Sequence, residues 1–125
     1  MRILVDSHIL YWSIIEPKKI SATLGQILVN GENQIWASAV GIAELRIMQR
    51  IGKLVLPDDF DGLIAATGYE TLSFQASHAH WLAELPLHHR DPFDRMMIAQ
   101  ALSEGLTIAT ADAMFAQYPV AILKN

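Results

Sequence analysis

Short apolar runs of strand type alternate along the chain with longer segments of helical period, a pattern that predicts an α/β fold with helices covering a central, mostly parallel sheet. Arg2–Val5 reads as a buried, β-branched first strand, followed directly by a helix over Ser7–Ile15. A second helix runs over Ser21–Asn30, capped by Ser21 and stopped by Gly31. Gln34–Ala37 is a second strand, and Ser38 caps a helix reaching about Ile51, with Gly52 as its stop. Pro57 and Gly68 bracket another helix, a strand follows near Thr71–Phe74, and Ala76–Leu85 is helical up to Pro86. Asp91-Pro92-Phe93-Asp94 opens a long helix that Gly105 closes after Glu104. Leu106–Ala109 then reads as a strand, Asp112–Gln117 as a short helix and Val120–Ile122 as an edge strand. No repeat, low-complexity stretch or long linker interrupts this order, so one domain over residues 1–125 is expected.

Composition narrows the class. Apolar residues make up 52% of the 125, which excludes disorder and supports a core holding roughly 65–70% of the unfolded surface. The chain has no cysteine, which rules out disulfides, Cys-based zinc sites and a thiol nucleophile. Asp6 ends the opening apolar run after Ile3-Leu4-Val5, too early for a secretory segment. No stretch approaches the ~18 apolar residues of a membrane span. A cytoplasmic chain without a membrane role is therefore expected.

The acids stand where chemistry is usually found. Asp6 immediately follows the first strand, and Asp112 follows the strand Leu106–Ala109 by three residues. In open α/β sheets, ligands bind outside the carboxyl ends of the strands. Each acid can equally be an N-cap of the helix after it. Glu44 lies inside a helix, with Val40, Gly41, Ile47 and Met48 three and four residues away. None of these is basic, so its face points inward, and a buried carboxylate needs a partner. That partner is either a metal ion or a distant Arg or Lys. Asp91 fits an N-cap with Pro92 at the first helical position, and Asp94 sits at the third, where the helix dipole favours an acid in any case. Capping explains each of these acids alone. It does not explain why four fall at functional-edge positions of so small a chain.

Asp6-Ser7-His8-Ile9-Leu10-Tyr11-Trp12 resembles the opening of one branch of the PIN-domain family. Ser38-x-x-x-x-x-Glu44 is similar to that branch's helix bearing a second acid. His88-His89-Arg90-Asp91-Pro92-Phe93-Asp94-Arg95, followed by Ile98-Ala99-Gln100-Ala101, resembles its most recognisable stretch. Leu106-Thr107-Ile108-Ala109-Thr110-Ala111-Asp112 matches the strand and Thr-x-Asp that supply the last acid. The likeness runs from Asp6 to about Ile122, and in bacteria this branch is associated with VapC-type toxins of toxin–antitoxin pairs. It departs from the family pattern at Met48, where a Lys often stands, and at Ala111, where a basic residue is frequent. Both departures remove positive charge along the expected RNA path.

The resemblance implies a PIN-like three-layer fold and a Mg²⁺-dependent endoribonuclease, with Mn²⁺ as a substitute ion. It assigns metal binding and catalysis to Asp6, Glu44, Asp94 and Asp112, with Asp91 and Ser7 as secondary candidates. A small antitoxin is the implied protein partner, and the apolar bias (mean hydropathy +0.26) is consistent with a surface left for a second copy of the chain or for that partner. The net charge of −4 suits RNA poorly, but setting the four site acids aside leaves no net charge. Arg46, Arg50 and Lys53 recur at helical spacing and, with Arg90 and Arg95, are candidate RNA contacts; a solvated helix face is the competing reading. His78-x-His80 and His88-His89 lack the spacing of a good zinc site. Trp12, Trp36 and Trp81 can stack bases but fit a core better. A non-catalytic PIN-fold binding module is the main alternative. A phosphate-accepting receiver domain would need adjacent acids after the first strand and an internal late Lys, whereas Asp6 stands alone and the only late Lys is Lys124.

Overall fold

The structure is a computed structural model describing residues 1–125. Strand β1 (Arg2–Val5) loses nearly all solvent contact at Ile3, Leu4 and Val5 because both of its faces are covered. Ile3 and Val5 enter one apolar layer and Leu4 the other, the period-two alternation of a pleated strand. It is the middle strand of five, with β2 (Gln34–Ser38), β3 (Glu70–Leu72), β4 (Thr107–Thr110) and β5 (Ile122–Lys124). They lie in the order β3-β2-β1-β4-β5, and every neighbouring pair is parallel. Val5 pairs with Ala37 on one side and Ala109 on the other.

Helices cover both faces, so the expected three-layer α/β architecture is what forms. On one side α1 (Ser7–Ile15), α2 (Ala22–Val29) and α4 (Phe60–Ala66) bury Ile9, Leu10, Leu24, Phe60 and Ile64 against Ile3 and Val5. On the other, α6 (Pro92–Glu104) buries Met97, Ile98 and Ala101 against Leu4 and Ile108. Helix α3 (Ala39–Arg50) serves both layers, through Leu45 in the first and Val40 in the second. Each such large apolar side chain contributes about 1.5–3 kcal/mol by leaving water. The short α5 (Ala76–His80) packs on α6.

Several boundaries differ from expectation. The segment after Pro57 becomes helical only at Phe60, and Ala76–Leu85 divides into α5 and a 3₁₀ turn over Trp81–Ala83. Strand β3 ends at Leu72, short of Phe74, while β4 extends to Thr110. The last strand begins two residues late, because its pairing sets Ile122 against Ile108 and Lys124 against Thr110. A 3₁₀ turn at Pro17–Lys19 had no counterpart in the pattern. Helix α6 matches its signals closely: Asp91 accepts from the Phe93 and Asp94 peptide N–H groups, Pro92 follows, and Gly105 ends the helix at φ 69°, in the left-handed region. No helix is long and apolar enough to cross a membrane.

Candidate functional site

Sheet order reverses direction between β1 and β4, and the crevice beyond their carboxyl ends is where an open α/β sheet receives a ligand. Asp6 stands at that point, 4% exposed, with its peptide N–H donating to Ala109 O at 3.1 Å. Its Oδ1 accepts from the Ile9 N–H at 2.8 Å, and its Oδ2 accepts from the Thr110 hydroxyl. Asp6 is thus an N-cap of α1 and a wall of the crevice at once. Burial pushes its carboxyl above the ordinary aspartate range; Thr110, the Ile9 N–H and His8 oppose the rise, and Asp112 adds to it.

Glu44 is brought in by a close helix approach. At Gly41, α3 comes within van der Waals reach of both neighbours: a Cβ there would stand 3.4 Å from Met97 Sδ on α6 and 3.6 Å from Ser7 Cα on α1. Glu44 is 8% exposed, no Lys or Arg pairs with it, and its Oε1 has no hydrogen-bond partner. Burial raises its carboxyl; the Ser7 hydroxyl beside it and His8 pull it down, while Asp91 and Asp6 push it further up. Ser7 Oγ is near enough to matter electrostatically, yet it too lacks a hydrogen bond of acceptable geometry. The distant salt bridge that could have explained Glu44 does not form.

The start of α6 adds two carboxylates. Asp91 Oδ1 caps the helix, accepting from the Phe93 N–H at 2.9 Å. Glu44, Asp91 and Asp94 each offer an oxygen within 4.8 Å of the others. Burial, then Asp91, Glu44, Asp6 and Asp112, push Asp94 up to about 8. His89 Nε2 lies 2.8 Å from Asp94 Oδ2. The same nitrogen lies 3.1 Å from Asp112 Oδ2, while Asp112 Oδ1 accepts from the Met114 N–H at 2.9 Å and so caps a 3₁₀ turn.

These groups surround a cavity of about 330 Å³ lined by Asp6, His8, Trp12, Glu44, Asp91, Asp94, Ala111 and Asp112. Its lining contains five carboxylates and no Lys or Arg. Roomier cavities of about 540 and 610 Å³ lie elsewhere, but the first has no carboxylate in its lining and the second only Glu70, so volume alone does not locate the chemistry. An unpartnered buried Oε1, a carboxyl held near neutrality and an all-oxygen donor set fit a hard divalent cation. The zinc pairs do not assemble: His78 is buried against Glu104 at 2.7 Å and accepts the Gln75 N–H, while His88 packs on Tyr118.

The candidate RNA contacts separate into two groups. Arg50, Lys53 and Arg90 are exposed, and Lys53 borders a groove shared with Glu44 and Asp91. Arg46 instead pairs with Asp61 at 3.0 Å and lies over the Phe60 ring. Arg95 is drawn inward, donating to the carbonyls of Pro86 (2.7 Å), Leu82 (3.2 Å) and Leu85 (3.3 Å) and to the Tyr118 hydroxyl. It clamps the loop before α6, a task that helix spacing does not reveal. Sequence reasoning also passed over Thr110 and His89; Trp12, expected in the core, packs against it half-buried and borders the cavity as well. The His88-His89 pair was a signal, read for zinc and as part of the family stretch but not for a role beside the acids.

A family model described as PIN domain matches residues 3–121. No curated protein matches significantly. Among solved structures, VapBC2 from Rickettsia felis, bound to a DNA fragment from its promoter, has a chain with TM-score 0.76 and 18% identity, covering 100% of this chain and 99% of its own. DNA-bound VapBC from Salmonella typhimurium gives TM-score 0.72 at 17% identity, with 99% and 98% covered. VapBC-5 from Mycobacterium tuberculosis, a member of the VapBC family of toxin–antitoxin systems, gives 0.63 at 22%, again with 99% and 98% covered. At these identities the likeness is one of fold.

Proposed function

The chain belongs to the PIN-domain family, and from that membership and the acid cavity we propose that it is a metal-dependent endoribonuclease of VapC type, acting as one domain over residues 1–125. The observation that carries the reading is the set of five carboxylates around one cavity with no Lys or Arg in its lining, and with Glu44 Oε1 left unpartnered. Asp6, Glu44, Asp94 and Asp112 would hold Mg²⁺, or Mn²⁺ in its place, with Asp91 close enough to Glu44 and Asp94 to join them. Such an ion supplies an acidified water for attack on a phosphodiester and positive charge for the phosphate.

The chain's own part is to hold the oxygens in place and to keep the acids ready to lose their protons. Asp6 is fixed by the Ile9 N–H and the Thr110 hydroxyl, so its carboxylate enters the cavity in one orientation. Asp94, whose proton is held more tightly in the free protein, would give that proton up where a cation is bound. Arg50, Lys53 and Arg90 are exposed and would meet the RNA backbone outside the cavity. Ser7, at the first position of α1, faces Glu44 rather than open solvent and would orient that acid. A small antitoxin, a homodimeric assembly and a cytoplasmic setting complete the proposal, in keeping with the toxin–antitoxin systems among the structural neighbours.

The test is incubation of the purified chain with total cellular RNA, with Mg²⁺ or with EDTA, alongside Asp6→Asn. Discrete fragments that require the metal and vanish in the variant are expected. A folded protein that binds Mn²⁺ and cuts nothing would make it a PIN-fold binding module instead.

A further inference from the structure

We infer that His89 is a positioning residue of the acid centre: an imidazole held as an Nε2–H donor that ties Asp94 to Asp112, and not a nitrogen ligand. The inference rests on the metal-centre reading above and concerns how that centre is held open.

His89 Nδ1 accepts the Asp91 peptide N–H at 3.2 Å, which requires a lone pair on Nδ1. The ring proton therefore resides on Nε2; protonating both nitrogens would aim one N–H at another. Nε2 lies 2.8 Å from Asp94 Oδ2 and 3.1 Å from Asp112 Oδ2, and both of these atoms are acceptors. One N–H thus spans a carboxylate at the start of α6 and one beyond β4, which repulsion would otherwise separate. Metal ligation through Nε2 needs the opposite tautomer and would set the Nδ1 proton against the Asp91 N–H.

The ring is held in place from behind. The His89 peptide N–H donates to the Tyr118 hydroxyl at 2.8 Å, and the imidazole meets Phe115 edge-on at 6.1 Å between centroids. Tyr118 is buried and also receives Arg95 Nη1 at 3.2 Å. The loop clamp made by Arg95 and the bridge made by His89 therefore share one anchor, and the contact leaves Asp94 Oδ1 free of protein donors.

The experiment compares Mn²⁺ affinity by calorimetry in the wild type, His89→Gln and His89→Asn, together with ¹⁵N NMR of the His89 ring before and after Mg²⁺. A glutamine amide reaches the Nε2 position with an N–H, whereas asparagine stops near Nδ1. Supporting partners of this kind are worth about 10–100-fold in metal affinity. His89→Asn is expected to lose that much, His89→Gln to recover most of it, and the ring to stay Nε2-protonated when Mg²⁺ is added. Equal loss in both variants, no loss in His89→Asn, or departure of the Nε2 proton on loading would each overturn the inference. The wild-type titration decides separately whether the centre binds metal at all, and absence of binding there removes the premise as well.

Discussion

Two buried polar clusters lie along the same carboxyl edge of the sheet, and they are built on opposite terms. Beyond β2 and β3, the Ser38 hydroxyl donates to Gln100 Oε1 at 2.5 Å and accepts the Val40 N–H at 3.0 Å. Gln100 Nε2 donates to the carbonyls of Leu72 and Ser73, each at 3.3 Å. All its members are neutral and all are paired. Beyond β1 and β4, five carboxylates share a cavity, Glu44 Oε1 and Ser7 Oγ have no partner, and Asp94 is pushed up to about 8. Helix α6 contributes to both, with Gln100 in its middle and Asp94 at its start. The first cluster is complete without a ligand and holds the fold. The second is complete only with one, and local destabilisation of that kind is what a binding site requires.

The largest expected effect breaks the second cluster alone. Asp94→Asn is predicted to abolish metal-dependent RNA cleavage while leaving the metal-free melting temperature unchanged or higher, since a neutral amide relieves the crowding. Asp91, which caps α6, is untouched by the change. A fall of several degrees in the metal-free protein would instead make Asp94 part of the scaffold. The matching break in the first cluster is Gln100→Leu, which strands the Ser38 hydroxyl and two carbonyls. It is expected to cost about 1–3 kcal/mol in urea unfolding with Mn²⁺ affinity retained. If Mn²⁺ affinity collapsed as well, the two clusters would be one coupled unit.

Protonation sharpens the contrast. An unfolded aspartate titrates near 3.8, and the folded Asp94 near 8. Between those values the folded chain retains a proton that the unfolded chain has released, so stability falls as pH rises. Asp94's contribution is fully present below about 4 and is lost as pH climbs through 8. The metal-free denaturation midpoint should therefore decline from pH 5 to pH 8, and Asp94→Asn should flatten much of that slope. Asp6 and Glu44, also raised, act in the same direction. Metal binding at pH 7 should release protons, visible as a heat that depends on the buffer's own ionisation. A flat midpoint in the wild type would mean that the His89 contact outweighs the crowding.

What could be read in the sequence was what local chemistry decides. Asp91, Pro92 and Gly105 marked α6 to the residue, and the apolar neighbours of Glu44 marked it as inward-facing. The acids after β1 and β4 were visible because strand ends are visible. What escaped notice depends on approach between distant segments. Thr110 meets Asp6 across 104 positions, and His89 meets Asp112 across 23. Arg95 looked like an exposed charge at a helix start, but the loop folding back over Leu82–Pro86 offers it three carbonyls. The last strand slipped by two residues because a short apolar stretch sets a strand's presence, while register comes from pairing with Ile108–Thr110.

The smallest expected effect concerns Thr110, which links the strand end to two acids. Its hydroxyl donates to Asp6 Oδ2 and accepts the Asp112 N–H at 3.0 Å. Thr110→Val keeps the shape and removes both bonds, leaving Asp6 with the Ile9 N–H. Burial then acts on Asp6 with its main opposing contact gone, so its carboxyl moves further up. Stability should fall by about 1 kcal/mol, since Asp6 Oδ2 and the Asp112 N–H each lose a partner while protonation of Asp6 spares the cost of a buried charge. Mn²⁺ affinity should weaken several-fold near pH 7, because loading must now remove a more tightly held proton. That deficit should shrink as pH rises, because more of the proton is then lost before metal arrives. A deficit that stays constant across the range would mean that Thr110 acts through the placement of Asp112, and the contrast between paired and unpaired acids would then be one of geometry more than of charge.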